Sequence, residues 1–118
     1  IHGACDIEYY KKAMKYLEEK VVNINYFIFS DDIEWVKENL AIQNAIYIYS
    51  KEKRIPHEDI YLMSLCKNNI IANSSFSWWG AWLNQNEKKM VIAPKRWFAD
   101  DEMQKQSGDI VCESWVRI

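Results

Sequence analysis

Each short apolar run in this chain is followed by residues that could do chemistry: Ser30-Asp31-Asp32, Ser50-Lys51, Asn73-Ser74-Ser75 and Pro94-Lys95. The Asn73-Ser74-Ser75 turn is the most informative. It lies between an apolar run, Ile70–Ala72, and an apolar helix-like run, Phe76–Leu83. A hydroxyl of Ser74 or Ser75 can cap that helix. The free N–H groups of the first turn, with the positive dipole end behind them, then suit a pyrophosphate. A plain serine cap explains the same residues, and the match to a glycosylation sequon is accidental in such a turn. Asp59 opens another apolar stretch, Ile60–Cys66. Its carboxylate could stabilise a helix start. It could equally accept hydrogen bonds from a ribose, or from the N1–H and exocyclic amine of a guanine. Asp31-Asp32 fits helix capping, a ribose contact or a magnesium ion, with capping favoured. His57 reads as a surface residue of the turn Pro56-His57-Glu58, and His2 carries no signal. Lys95 and Arg96 could meet phosphate or remain a solvated pair.

The elements that must position these residues follow from periodicity. Ile7, Tyr10, Met14, Leu17 and Val21 step by three and four, which predicts a helix face, with Asp6 at the cap. Tyr26–Phe29 is a continuous apolar run of the kind buried on both faces of a parallel sheet. Ile33, Val36 and Leu40 step helically again, and Ala45–Tyr49 is a second strand candidate. Ile60–Cys66 reads as a helix after Pro56, and Ile70–Ala72 as a third strand. Phe76–Leu83 is apolar all round, which predicts a buried helix. Met90–Ala93 is the fourth strand, closed by Pro94. Residues 99–109 read as a polar loop, and 110–118 as a terminal strand or helix. Alternating helix and strand predicts the α/β class: a Rossmann-like parallel sheet with flanking helices. Ligands of such sheets bind beyond the carboxyl ends of the strands, where the polar residues above collect.

Composition narrows the function. The chain has 118 residues, 49% hydrophobic and 14% aromatic, with a net charge of −2. That balance argues against nucleic acid and against an anionic membrane surface. Cys5, Cys66 and Cys112 lack the paired spacing of a zinc site or a disulfide framework and read as reduced thiols, two of them in the core. No apolar run reaches the roughly 20 residues of a membrane span. The chain opens on Ile1 and enters a helical pattern almost at once, which leads us to expect one partial domain, 1–118, of a longer protein.

The run Asp59-Ile60-Tyr61-Leu62-Met63-Ser64-Leu65-Cys66 through Asn73-Ser74-Ser75-Phe76-Ser77-Trp78-Trp79-Gly80-Ala81-Trp82-Leu83 resembles glycosyltransferase family 11, the bacterial-type α-1,2-fucosyltransferases. His2-Gly3 with Tyr9-Tyr10-Lys11, Phe27–Asp32 with Trp35, Ile92-Ala93-Pro94-Lys95 with Trp97-Phe98, and Glu113-Ser114-Trp115 extend the resemblance over essentially the whole chain. It implies a GT-B enzyme of two Rossmann-like domains, of which this is the donor-binding half. It implies inverting transfer of L-fucose from GDP-fucose to the 2-hydroxyl of a galactoside, with no cofactor and no obligatory metal. The galactose-terminated acceptor would sit on the other half. Asp59 would contact the nucleoside, and Ser74-Ser75-Phe76 the pyrophosphate; Asn73, Ser30, Asp31 and Asp32 complete the candidate substrate-binding set. A cytosolic donor implies a cytoplasmic protein, with peripheral association at the inner membrane face as an option.

One departure limits the carry-over. The family's His-x-Arg-Arg-x-Asp motif, whose arginine would stabilise the departing pyrophosphate, is absent. The arginines present are Arg54, Arg96 and Arg117, none in that context. No catalytic base can be named, and the chain alone is expected to bind GDP weakly without catalysing transfer. Two alternatives have other requirements. A receiver-like phosphoacceptor domain would use Asp31-Asp32, Ser74 and Pro94-Lys95, but it needs an aspartate where Ser50-Lys51 stands. A non-catalytic interaction domain would place Trp97 or Trp115 in an apolar surface patch.

Overall fold

The structure, a computed structural model, describes residues 6–30, 33–40, 42–49, 56–95, 112 and 114–118. Asp6 caps the first helix, α1 (Ile7–Lys20), by accepting from the Tyr9 N–H at 2.9 Å. Strand β1 (Tyr26–Ser30) follows, then α2 (Ile33–Asn39) and β2 (Ala45–Tyr49). Asn23 and Asn44, just ahead of the two strands, take positive φ angles of 57° and 58°, a conformation asparagine tolerates better than most residues. Helix α3 (Pro56–Ser64) opens on proline, whose fixed φ and missing N–H suit a first helical position. Then come β3 (Asn69–Ile70), α4 (Ser75–Trp82), β4 (Val91–Ala93) and β5 (Val116–Arg117).

Every strand pair among the described residues is parallel, so the α/β class and the strand direction hold. The single sheet does not. Among the described residues, β1 pairs with β2 in one sheet, and β3-β4-β5 form another. The β3 edge that faces away from β4 ends at the α4 turn. Asn69 and Ile71 bond β4 through their N–H groups, so the groups of Ile70 and Ala72 face the other way. The Ala72 carbonyl accepts from the Ser77 hydroxyl at 3.0 Å, which ties the end of β3 to the first turn of α4. The terminal segment contributes a strand: β5 runs alongside β4, with Ile118 and Ala93 bonded at 3.0 Å.

The three-stranded sheet is covered on both faces, as a parallel sheet requires. Ile71, Val91 and Ala93 pack with Ala81 of α4 and with Trp115. Ile92 turns the other way, onto Tyr9, Ala13 and Leu17 of α1. The α1 core stripe is therefore Tyr9-Ala13-Leu17, rotated from the predicted one. The predicted residues Tyr10, Met14 and Val21 instead line a cleft. Ile33, Val36 and Leu40 are buried as expected.

Two burial expectations fail. Strand β1 is not buried on both faces, since Phe27 is 48% exposed. Helix α4 is not enclosed either: it buries Ser77, Gly80 and Ala81, while Trp79 and Trp82 are 47% and 51% exposed. The small residues sit against the sheet and α3, so the bulky indoles must point elsewhere. Trp78 stacks on Trp82 at 5.3 Å and packs against the core cluster that holds Trp115. Trp115 is thus a core residue and not a surface patch. Cys112 is half-buried against the same cluster, and the Cys66 thiol, just past α3, is pushed up in pKa by its burial.

Candidate functional site

A cleft of about 980 Å³ lies where β1, the start of α4, α3 and α1 meet. Its size falls at the upper end for small-molecule sites. Three predicted polar groups reach it from separate elements: Ser30 from the end of β1, Asp59 from the first turn of α3, and Ser74 from the turn before α4. Phe76 lines it too. Tyr10, Met14, Leu17, Ile28, Met63 and Ile70 give it apolar walls, and Trp35 adds an indole. Among the described lining residues Asp59 is the one carboxylate and Lys67 the one side-chain cation.

The α4 start is built from local hydrogen bonds. Ser74 is the N-cap and accepts from the Ser77 N–H at 3.2 Å. The two hydroxyls lie 2.8 Å apart, and Ser77 is in reach of the Ala72 and Ser74 carbonyls at 3.0 and 3.2 Å. The hydroxyl pair is thereby held by the backbone. The N–H groups of Ser75 and Phe76, in the first turn, have no intrahelical acceptor, and the positive dipole end lies behind them. Such a turn attracts an anion through main-chain groups, with the serines fixing its shape. Asp59, at 9% exposure, adds a carboxylate from α3 to the same lining.

The remaining candidates fall elsewhere. Asn73 is buried and Ser75 exposed, and neither lines the cleft. Lys95 is exposed, with its N–H bonded to the Ile118 carbonyl at 2.9 Å. Asp31, Asp32, Ser50, Lys51, Arg96 and Trp97 lie outside the described residues, as does the expected loop at 99–109. Sequence reasoning passed over Ser77, which stands at the third helical position after the Ser74 cap; a serine there is not the Glu or Gln of a capping box, so the spacing alone did not mark it. It also passed over Asn69 and Asn84. Asn69 donates to the Met63 carbonyl at 2.9 Å and accepts from Asn84 at 2.8 Å, and Asn84 donates to the Cys66 carbonyl at 2.6 Å. Nothing in the local sequence shows that these two meet.

In this parallel α/β domain a capped helix start and a buried carboxylate line one cleft, where ligands of such sheets bind in general. The chain belongs to glycosyl transferase family 11, whose family model matches residues 1–118. It is 42% identical over 118 residues to the O-antigen biosynthesis glycosyltransferase WbnK of Escherichia coli, covering 99% of this chain and 38% of that protein. It is 44% identical over 123 residues to an alpha-1,2-colitosyltransferase of Escherichia coli, covering 100% of this chain and 41% of that protein. The chain thus spans about two-fifths of the length of these relatives. No solved structure matches it. Family membership displaces the receiver-like and interaction-domain readings. No helix among the described residues is long and apolar enough to cross a membrane.

Proposed function

We propose that the chain is the donor-binding half of an inverting α-1,2-fucosyltransferase of the two-domain GT-B form, which moves L-fucose from GDP-fucose to the 2-hydroxyl of a galactoside. The observation that carries this reading is the convergence of Asp59 and the Ser74–Ser77 turn on one cleft. The pyrophosphate lies on the N–H groups that open α4, where dipole and donors act together. Asp59 accepts from the guanine N1–H and amine, a pairing that adenine and uracil cannot offer in the same form. The apolar walls carry the nucleoside between these two ends. Neither a cofactor nor an obligatory metal enters this reading. A galactose-ended glycan is held by the remainder of the protein, which also supplies the charge-stabilising arginine and the base. The isolated chain therefore binds GDP weakly and transfers nothing. The protein works in the cytoplasm, where its donor is, with peripheral association at the inner membrane face.

Titration of GDP, ADP and UDP against the isotopically labelled chain tests this. GDP alone is expected to shift the amides of Asp59 and Ser74–Phe76, with a dissociation constant near millimolar, about −4 kcal/mol. Asp59→Asn should remove the preference for GDP. A folded chain with no shift at these amides, or with equal response to all three nucleotides, overturns the reading. A second reading, transfer of colitose, is favoured by the colitosyltransferase relative that matches the whole chain. Product analysis of the full-length protein offered both activated sugars separates the two.

A further inference from the structure

We infer that Gly80 is a positioning residue of the nucleotide cleft, setting the distance between Asp59 and the start of α4; this rests on the donor-site reading above. A Cβ placed on Gly80 would stand 2.8 Å from the Met63 Cβ and 2.9 Å from its Cε. Carbon atoms in ordinary contact sit at roughly 3.5–4.0 Å. The Met63 Cβ is fixed to the α3 backbone and cannot swing away, so α3 and α4 approach as closely as they do because residue 80 lacks a side chain. Gly80 lies within α4, where a glycine is unfavourable by about 1 kcal/mol relative to alanine. Its φ is negative, so no backbone conformation calls for glycine there. Close approach is the remaining reason for it.

The contact sits where it controls the cleft. Met63 is one turn along α3 from Asp59, and Gly80 is one turn along α4 from Ser77. A helical turn rises about 5.4 Å and is stiff, so a separation at the contact reaches the rim nearly undiminished. The C-terminal ends of the two helices are tied beside the contact: Asn69 joins the Met63 carbonyl to Asn84. With the base held, a Cβ at residue 80 opens the helices toward the cleft by on the order of 1 Å, enough to pull apart the groups that must grip one ligand.

The test uses the full-length protein and GDP as the probe. Gly80→Ala is expected to weaken GDP binding at least tenfold, about 1.4 kcal/mol, and to raise the donor KM while leaving the acceptor KM unchanged. A glycine needed only for stability would lower the melting temperature and leave the GDP dissociation constant of the folded protein within about twofold; that result overturns the inference. Met63→Gly removes the opposing Cβ, and in that background Gly80→Ala should bind GDP within about threefold of the Met63→Gly single variant. A tenfold loss in that background overturns it as well. Should Gly80→Ala alone fail to fold, this second pair decides. If the unmodified protein does not bind GDP at all, the donor-site reading itself has failed. If it binds and Gly80→Ala binds equally well, only the positioning role has.

Discussion

The two sheets of this molecule share a strand direction and little else. In β3-β4-β5, Val91, Ile92 and Ala93 are at most 1% exposed, with α1 on one face and α4 on the other. In β1-β2, the register partners Phe27 and Ile46 are both 48% exposed. The three-stranded sheet is a finished layer and the two-stranded one is half-covered. The cleft lies between them, with Asp59 and Ser74 carried by helices beside the finished sheet and Ser30 by the half-covered one. The cleft thus has one well-packed wall, which carries Asp59 and Ser74, and one wall with less packing to hold it. Local stability should therefore differ across the site.

That contrast can be broken by experiment. Ile92→Ala empties a fully buried position and should destabilise the protein by about 2–5 kcal/mol, whereas Ile46→Ala should cost about 1 kcal/mol or less. Denaturant unfolding measures both, and similar losses would erase the distinction. Tyr9→Phe comes next. The Tyr9 hydroxyl reaches the carbonyls of Ile71 and Ile92, tying α1 to the finished sheet. Its removal should cost roughly 1–2 kcal/mol, leaving buried carbonyl capacity unmet.

The smallest effect lies in the half-covered sheet. Tyr26 opens β1 and donates to Glu18 at 3.1 Å. Burial first, and then the Glu18 charge and hydrogen bond, push its pKa from 10.0 up to about 12. The folded state thus holds the phenol proton more tightly than the unfolded chain does. The resulting stability is fully present below pH 10.0 and fades as pH rises toward about 12. Phenolate absorbance, taken as wild type minus Tyr26→Phe, should show that late midpoint. Glu18→Gln should lower it while keeping it above 10.0, because burial is the leading cause. A Tyr26 midpoint near the unperturbed value would show that this sheet is looser still.

Much of the site was legible because it is local. The Asp6 cap, the Ser74 cap and the Ile33-Val36-Leu40 stripe each depend on residues a turn apart, and a turn is within the reach of sequence spacing. Family membership was legible too, since the run from Asp59 to Leu83 is dense in uncommon residues. Burial was harder to read. Trp79 and Trp82 are as apolar as any core residue, yet their exposure depends on which face of α4 meets the sheet, and Gly80 and Ala81 took that face.

By itself, then, the sequence determined the alternation of helices and strands up to Ala93, the parallel α/β class and a serine-capped turn at Ser74 or Ser75, of which the structure picks Ser74. Periodicity and capping act over a few residues and need no partner from elsewhere. Only the tertiary structure decided that the strands divide between two sheets, that Asp59 and Ser74 share a cleft with Ser30 while Asn73 and Ser75 do not, and that Met63 meets Gly80. Those outcomes turn on contacts between segments far apart in sequence, such as Tyr9 on Ile71 and Ile92 or Gly80 against Met63, which no local spacing shows.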